Sequence, residues 1–319
     1  TGTYGLTSGT GAITQTGDLT ITGVTTVTAT GQDVTLSNAG NDFMAAVGIA
    51  GANVAVRDTN ALSMGVSTVT GTLALTSGTG AITQTGILTV TGATTITATG
   101  QNVTLNSAND FMAGVGVTGA TVSLVDANSI DLAASTVTGT YSVTATAGDI
   151  TNSGDLTITN AATFRTNATG SNITLNSSGN AFSNSVTLQA DGGTEAFGNI
   201  TFVDSAAVVL DSSATGDGDL FINAATDGVV GGNLNVTATT GNITQAAAIG
   251  AGGTSSFSTL ATDADIILST TTNALVGTVS LSTTGTTANA TIDNGTTVLD
   301  FGTVTVGGNL DAQSDDSIK

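Results

Sequence analysis

Apolar and small polar residues alternate with a period of two, in short runs, along the whole chain. Leu19-Thr20-Ile21-Thr22, Val34-Thr35-Leu36 and Val54-Ala55-Val56 show the pattern. It puts the apolar residues on one face and predicts half-buried β-strands. β-Branched residues, which pack well on a pleated surface, dominate these runs. The runs are three to six residues long and end at Gly, Asn, Asp or Ser, residues that suit turns. No stretch carries a helical period.

The runs also recur as a block. LTSGTGAITQTG runs from Leu6 to Gly17 and returns unchanged from Leu75 to Gly86, 69 residues later. TTVTATGQDVTL from Thr25 returns as TTITATGQNVTL from Thr94. A worn third copy, DITNSGDLTIT, begins at Asp149, and a fourth begins near Asn242 with NITQ. Duplication of this kind builds solenoids or propellers. A propeller needs a blade of about 40–50 residues, often with aromatic markers. A 69-residue unit in a chain with 3% aromatics fits that poorly.

The expected fold is all-β, a single-stranded parallel β-helix of about 13 coils. It runs through residues 1–319 as one solenoid, with repeats at about 12–80, 81–148, 149–241 (carrying an insertion) and 242–319 (partial). The first repeat divides into coils starting at Ala12, Asn41 and Ala61, about 29, 20 and 20 residues long. Ile13, Phe43 and Leu62 then align in one interior column. Ile21, Ile49 and Val69 form a second, and Val27, Val56 and Leu75 a third. Val34 and Val103 face inward, and Phe43, Phe111, Met44, Met64 and Met112 read as core filler. Parallel strands about 4.8 Å apart give a rod about 60 Å long. Ala206–Gly241 is the most expanded stretch, with an outward loop over Asp211–Asp219, and the tail QSDDSIK is expected to fray.

Charge narrows the function classes. The net charge is −20, with 23 acids against Arg57, Arg165 and Lys319. No basic patch is present to displace counterions from phosphates or to meet anionic lipid, so nucleic acid and charged membranes are poor partners. No run approaches the 18 apolar residues of a membrane span. Cys and His are absent, which removes disulfides, thiol chemistry and nucleophilic triads. The chain opens TGTYGLTSG, in mid-repeat and without a signal-peptide pattern, so a processed product or fragment is expected.

The pattern AITQTGxLTVTGxTTITATGxxVTLxNxxNDF resembles the repeats of large secreted bacterial exoproteins, the filamentous-haemagglutinin-like adhesins. It is carried by Ala12–Phe43 and Ala81–Phe111, and more loosely by Asp149–Phe182 and Asn242–Leu275. The resemblance implies a right-handed parallel β-helix, export to the cell surface or medium, and a place in a fibrous adhesin or surface matrix. The expected function is the shaft of such a fibre. The expected partner is a second copy stacked end to end, or flanking segments of a longer chain, with a surface receptor or glycan left open. Neither end of the chain shows the protection that open edges normally need, which favours such stacking.

Rival chemistries were weighed on their residues. Asp263 with Asp265, and Asp217 with Asp219, share a strand face as paired carboxylates would in a hydrolase. Asp315 and Asp316 lie in the tail. Solvated turn acids are the simpler reading, and no enzyme is expected, with no catalytic, cofactor-binding or metal-binding residues. Calcium at Asp211, Asp217 and Asp219 stays open, since GDGD offers oxygens on a flexible loop. Thr20/Thr22, Thr26/Thr28 and Thr89/Thr91 have the spacing of an ice- or carbohydrate-binding face, but neighbouring runs break the array. Asn102, Asn172, Asn199 and Asn242 are glycosylation sequons that also fall at expected corners.

Overall fold

The computed structural model describes residues 2–190, 197–211 and 232–319. The chain forms two compact units, Thr1–Thr146 and Ala147–Lys319. Among the described residues both are all-β, with strands in parallel register and no helix, as the period-two pattern predicts. The described strands stack in about 14 turns, a β-solenoid close to the expected 13.

In the first unit each coil crosses two sheets. The front sheet holds Tyr4–Thr7, Thr25–Thr28, Val47–Gly51, Val103–Phe111, Val122–Asp126 and Tyr141–Ala145. Between the third and fourth of these lie two split strands, Leu62–Met64 with Ser67–Val69 and Ile82–Gln84 with Leu88–Val90. The back sheet holds Val54–Asp58, Leu73–Ser77, Thr94–Thr97 and Val115–Gly119. Ile13–Thr14 and Val34–Leu36 precede them, and the second halves of these split strands, Thr20–Ile21 and Asp42–Phe43, pair with each other as a separate two-stranded sheet.

Like stacks on like because a parallel ladder places each residue over its partner. Ile13, Val34, Val54, Leu73, Thr94 and Val115 form one in-register column of the back sheet. Leu62, Ile82, Val103, Val122 and Tyr141 form one in the front sheet. Val34 and Val103 are both 0% exposed. Each such Val, Leu or Ile contributes roughly 1.5–3 kcal/mol by burial.

This register corrects the expected columns. Val56 does pair with Leu75, but Val27 pairs with Ile49, Phe43 with Ile21 and Val69 with Gly51. Ile13 pairs with Val34 instead of lying over Phe43. No 29-residue coil exists in this unit: partners lie 19 residues apart at Val54 and Leu73 and 22 at Thr25 and Val47. The reason is that a split strand still crosses only one sheet. Three coils carry Ile13 up to Leu73, and Ile82, its copy in the next repeat, then opens the opposite sheet. One repeat is therefore three and a half coils, and successive copies stand on opposite sheets.

The second unit obeys the same rule with longer coils. Ile150, Ile173, Ile200, Leu234, Ser255, Val279 and Phe301 pair in one sheet. The other sheet pairs Val208, Ile243, Ile266 and, through Ile266, Ala290 and Leu310. Ile150 rises three coils to Leu234, and its copy Ile243 again opens the opposite sheet, although 93 residues separate the two. The half-coil phase survives the added length, because the described strands keep their pairing from Ile150 through Ile173 and Ile200 to Leu234.

Two further expectations fail for local reasons. Met44 and Met112 are 56% and 57% exposed, not core. Each follows an inward Phe, so the period of two turns it outward. The tail is docked: Lys319 donates its amide to the Leu299 carbonyl at 2.9 Å and accepts from Phe301 at 3.1 Å.

Corners use glycine where the backbone demands it. Gly31, Gly100 and Gly170 occupy the third position of matching turns with φ of 73°, 72° and 72°, a region that other residues rarely adopt. In the fourth copy Asp263 takes that place at φ 59°.

One inward position is imperfect. Thr25, Thr94 and Ser255 bury their hydroxyls without a hydrogen-bond partner, and the corresponding residue of the third copy is Ala162. Thr94 sits between Leu73 and Val115 in an apolar column. Thr94→Val keeps the shape and removes the stranded hydroxyl, so it should raise stability by about 1 kcal/mol. A denaturant titration of the full chain checks this, and a lowered midpoint would refute it.

Candidate functional site

One polar residue that the four copies share, an Asn, is turned inward. Where a strand splits, backbone amides inside the coil lose their ladder partners and need another acceptor. In the first copy Asn41 supplies it. Its Oδ1 accepts from the Leu19 amide at 3.0 Å and from Gln15 Nε2 at 2.7 Å. Its Nδ2 donates to Gln15 Oε1 at 2.8 Å and to the Leu36 carbonyl at 3.0 Å. Gln15 also donates to the Gly17 carbonyl at 2.7 Å. The two side-chain amides thus form a closed clamp across two coils.

The clamp recurs in each copy. Gln84 and Asn109 exchange bonds of 2.8 and 2.9 Å, and Leu88 donates to Asn109 Oδ1 at 3.0 Å. Asn152 donates to Asn180 Oδ1 at 2.9 Å, and Leu156 donates to it at 3.0 Å. Gln245 and Asn273 exchange bonds of 2.8 and 3.0 Å, with the Ile249 amide on Asn273 Oδ1 at 2.9 Å. Asn41, Asn109 and Asn180 are 0% exposed and Asn273 2%. In the sequence the Asn of the NDF motif, Asn41 in the first copy, marks only the start of a coil. The signal that could have found the clamp is the Gln or Asn held 25 to 28 residues ahead of that Asn in every copy.

A buried carboxylate stands beside each of the first three clamps. Asp58 accepts from the Phe43 amide at 2.8 Å and the Asn60 amide at 2.7 Å. Asp126 does the same with Phe111 and Asn128, at 2.8 and 2.7 Å. Asp204 accepts from Phe182 at 3.3 Å and Ala206 at 2.9 Å. All three are 0% exposed. Burial pushes the Asp58 and Asp126 carboxyls up, and pushes Asp204 up to about 6. In the fourth copy a neutral amide, Asn294, accepts from the Leu275 amide at 2.8 Å.

The sequence candidates fall elsewhere. Asp217 and Asp219 lie outside the described residues; Asp211 is half-buried and donates its backbone amide to Val186. No group of three metal-ligating side chains forms among the described residues. Asp263 and Asp265 are not a strand pair. Each caps the next coil, Asp263 accepting from the Thr287 amide at 3.0 Å and Asp265 from the Asn289 amide at 2.7 Å. Those bonds hold the exposed Asp263 carboxyl below its usual range. Asp315 and Asp316 lie in the docked tail, where the Asp315 amide donates to the Gly295 carbonyl at 2.7 Å.

The sequon residues belong to similar ladders. Asn102 accepts from the Thr121 amide, Asn172 from Asn199, Asn199 from Asn233 and Asn242 from Asp265. Asn199 also donates Nδ2, the atom a glycan would take, to Asn172 at 3.1 Å. Thr26-x-Thr28 lies between Gly5-x-Thr7 and Gly48-x-Ala50, so that pair does not continue from coil to coil. Thr76, Thr97, Thr118 and Thr136 do stack, in single file, beside Ala74, Thr95 and Gly116.

A family described as repeats of unknown function (DUF5649) matches residues 1–50, 51–118, 119–189 and 218–282. The chain belongs to that family. No curated protein and no solved structure matches it. The DUF5649 segments tile the chain in blocks of about the repeat length, and each of the four contains one clamp Asn.

Removing a clamp should therefore wound the fold wherever it is done. Asn109→Ala strands the Leu88 amide, at about 1–3 kcal/mol for an orphaned buried group, and takes one bond from each end of the Gln84 amide, which keeps those to Gly86 and Ser107. The exposed Asn128→Ala should cost within about 0.5 kcal/mol. Urea midpoints of the two variants, measured side by side, check the contrast. Equal losses would mean that the clamp is not structural.

Proposed function

We propose that the chain is a shaft segment of a secreted fibre or surface adhesin, built to extend rather than to catalyse. The observation that carries this reading is the fixed half-coil phase. In the second unit, 93 residues are accommodated in the same three and a half coils that 69 residues fill in the first. Keeping the stacking geometry while the length of a repeat changes is what a length-generating scaffold requires. The resemblance to filamentous-haemagglutinin-like repeats supports the extracellular setting.

The reading includes stacking of a further coil on the strand Leu310–Gln313, supplied by a second copy or by more of the same polypeptide. The carbonyls of Asn309 and Gln313 accept from Ala290 and Asn294, so Leu310 and Ala312, between them, turn their own backbone groups to the free edge. Leu310 is 43% exposed although its partner Ala290 is 1% exposed. A further coil would bury that difference.

Electron microscopy of the native protein tests the proposal. Elongated particles are expected, and filaments wherever copies stack. Ala312→Pro removes one outward amide from the free edge without breaking a bond to Ala290–Asp293. It should abolish filaments and leave the melting temperature within a few degrees of the parent. Compact particles would overturn the shaft, and filaments that persist in the variant would overturn stacking at this edge.

A further inference from the structure

The three buried aspartates are unusual partners for a chain with so little positive charge. Each carboxylate is fully enclosed and accepts only amide hydrogens on the contacts described above. Arg57 precedes Asp58, but the strand alternation turns it to the outer face. Asp42, in the coil packed against Asp58, and Asp110, in the coil packed against Asp126, are acids and repel rather than pair. At Asp204 the groups that act are the amides of Ala206 and Phe182. Val125 and Val203 stand where Arg57 does in the first copy.

The fourth copy shows that the charge itself is dispensable. Asn294 fills the same place, keeps the bond from the coil-crossing amide, and donates Nδ2 to the carbonyls of Leu275, Thr297 and Val298 at 3.0, 3.2 and 3.0 Å. A neutral group with a hydrogen to donate is thus compatible with this socket. A protonated aspartic acid is such a group.

We propose that Asp58, Asp126 and Asp204 form an acid-strengthened lock in the solenoid. As pH falls each takes up a proton more readily than an exposed carboxyl does, and the coils around it hold more firmly. At neutral and alkaline pH the same coils carry buried, unpaired charge and open first. The inference does not depend on the shaft reading.

The direction follows from linkage. A carboxyl whose affinity for a proton is higher folded than unfolded stabilises the fold at low pH, and that stability is lost as pH rises through its folded value. For Asp204 the window runs from its ordinary 3.8 to about 6. Surface repulsion at a net charge of −20 acts in the same direction, so the test must separate the two.

Melting temperatures of the full chain at about pH 5 and about pH 8, in high salt to screen surface charge, give the first readout. The parent should melt several degrees higher at the acidic pH. Asp204→Asn should flatten that difference, and Asn294→Asp should enlarge it by adding a fourth lock. Profiles that stay parallel in parent and both variants would overturn the proposal. Carbon-13 NMR of the parent keeps it testable should a variant fail to fold. An Asp204 carboxyl that titrates near 6 supports the lock, and one that titrates near its ordinary 3.8 refutes it.

Discussion

Each copy of the repeat must resolve one constraint: a strand that breaks inside a dry core leaves amides with no water to turn to. The side-chain amide clamp meets it. Asn41, Asn109, Asn180 and Asn273 each reach across a break and take the amide that the ladder cannot serve. Without that bond the split strands could not lie flat on their neighbours, and the columns of Val, Leu and Ile could not close. The aliphatic burial supplies the bulk of the stability. The clamp fixes where that burial can occur.

The aspartates beside the clamps show the same economy at a cost. A carboxylate is a strong acceptor for the amides of Phe43, Phe111 and Phe182, but it carries a charge that the interior does not reward. Asn294 achieves the principal bond without the charge. The chain thus uses two solutions at equivalent sites, and they differ mainly in how they respond to protons.

Much of the fold was legible in the sequence. The period of two gave the strands, the 69-residue block gave the solenoid, and Val34 and Val103 were read inward correctly. The coil boundaries were not legible, because a split strand such as Val34–Leu36 with Asp42–Phe43 looks like two strands on two faces. Met44 and Met112 misled for a related reason: apolar character suggested burial, whereas their position one residue after an inward Phe decided exposure. The clamp was hidden because its halves, such as Gln84 and Asn109, lie 25 residues apart and resemble ordinary turn residues. Only the fold shows that Asp263 is a stand-in for glycine and Asp265 a rung of an external ladder.

The half-integer number of coils per repeat has a mechanical consequence. Two successive copies within a unit are related by an approximate two-fold screw, a half rotation combined with a climb of about 17 Å at a coil spacing of about 4.8 Å. Any lopsidedness in one copy, such as a bulge at Val103–Phe111 or a bulky corner, meets its mirror-side counterpart in the next. Bending moments cancel in pairs. Within a unit, no copy has to be symmetric itself for this balance to hold.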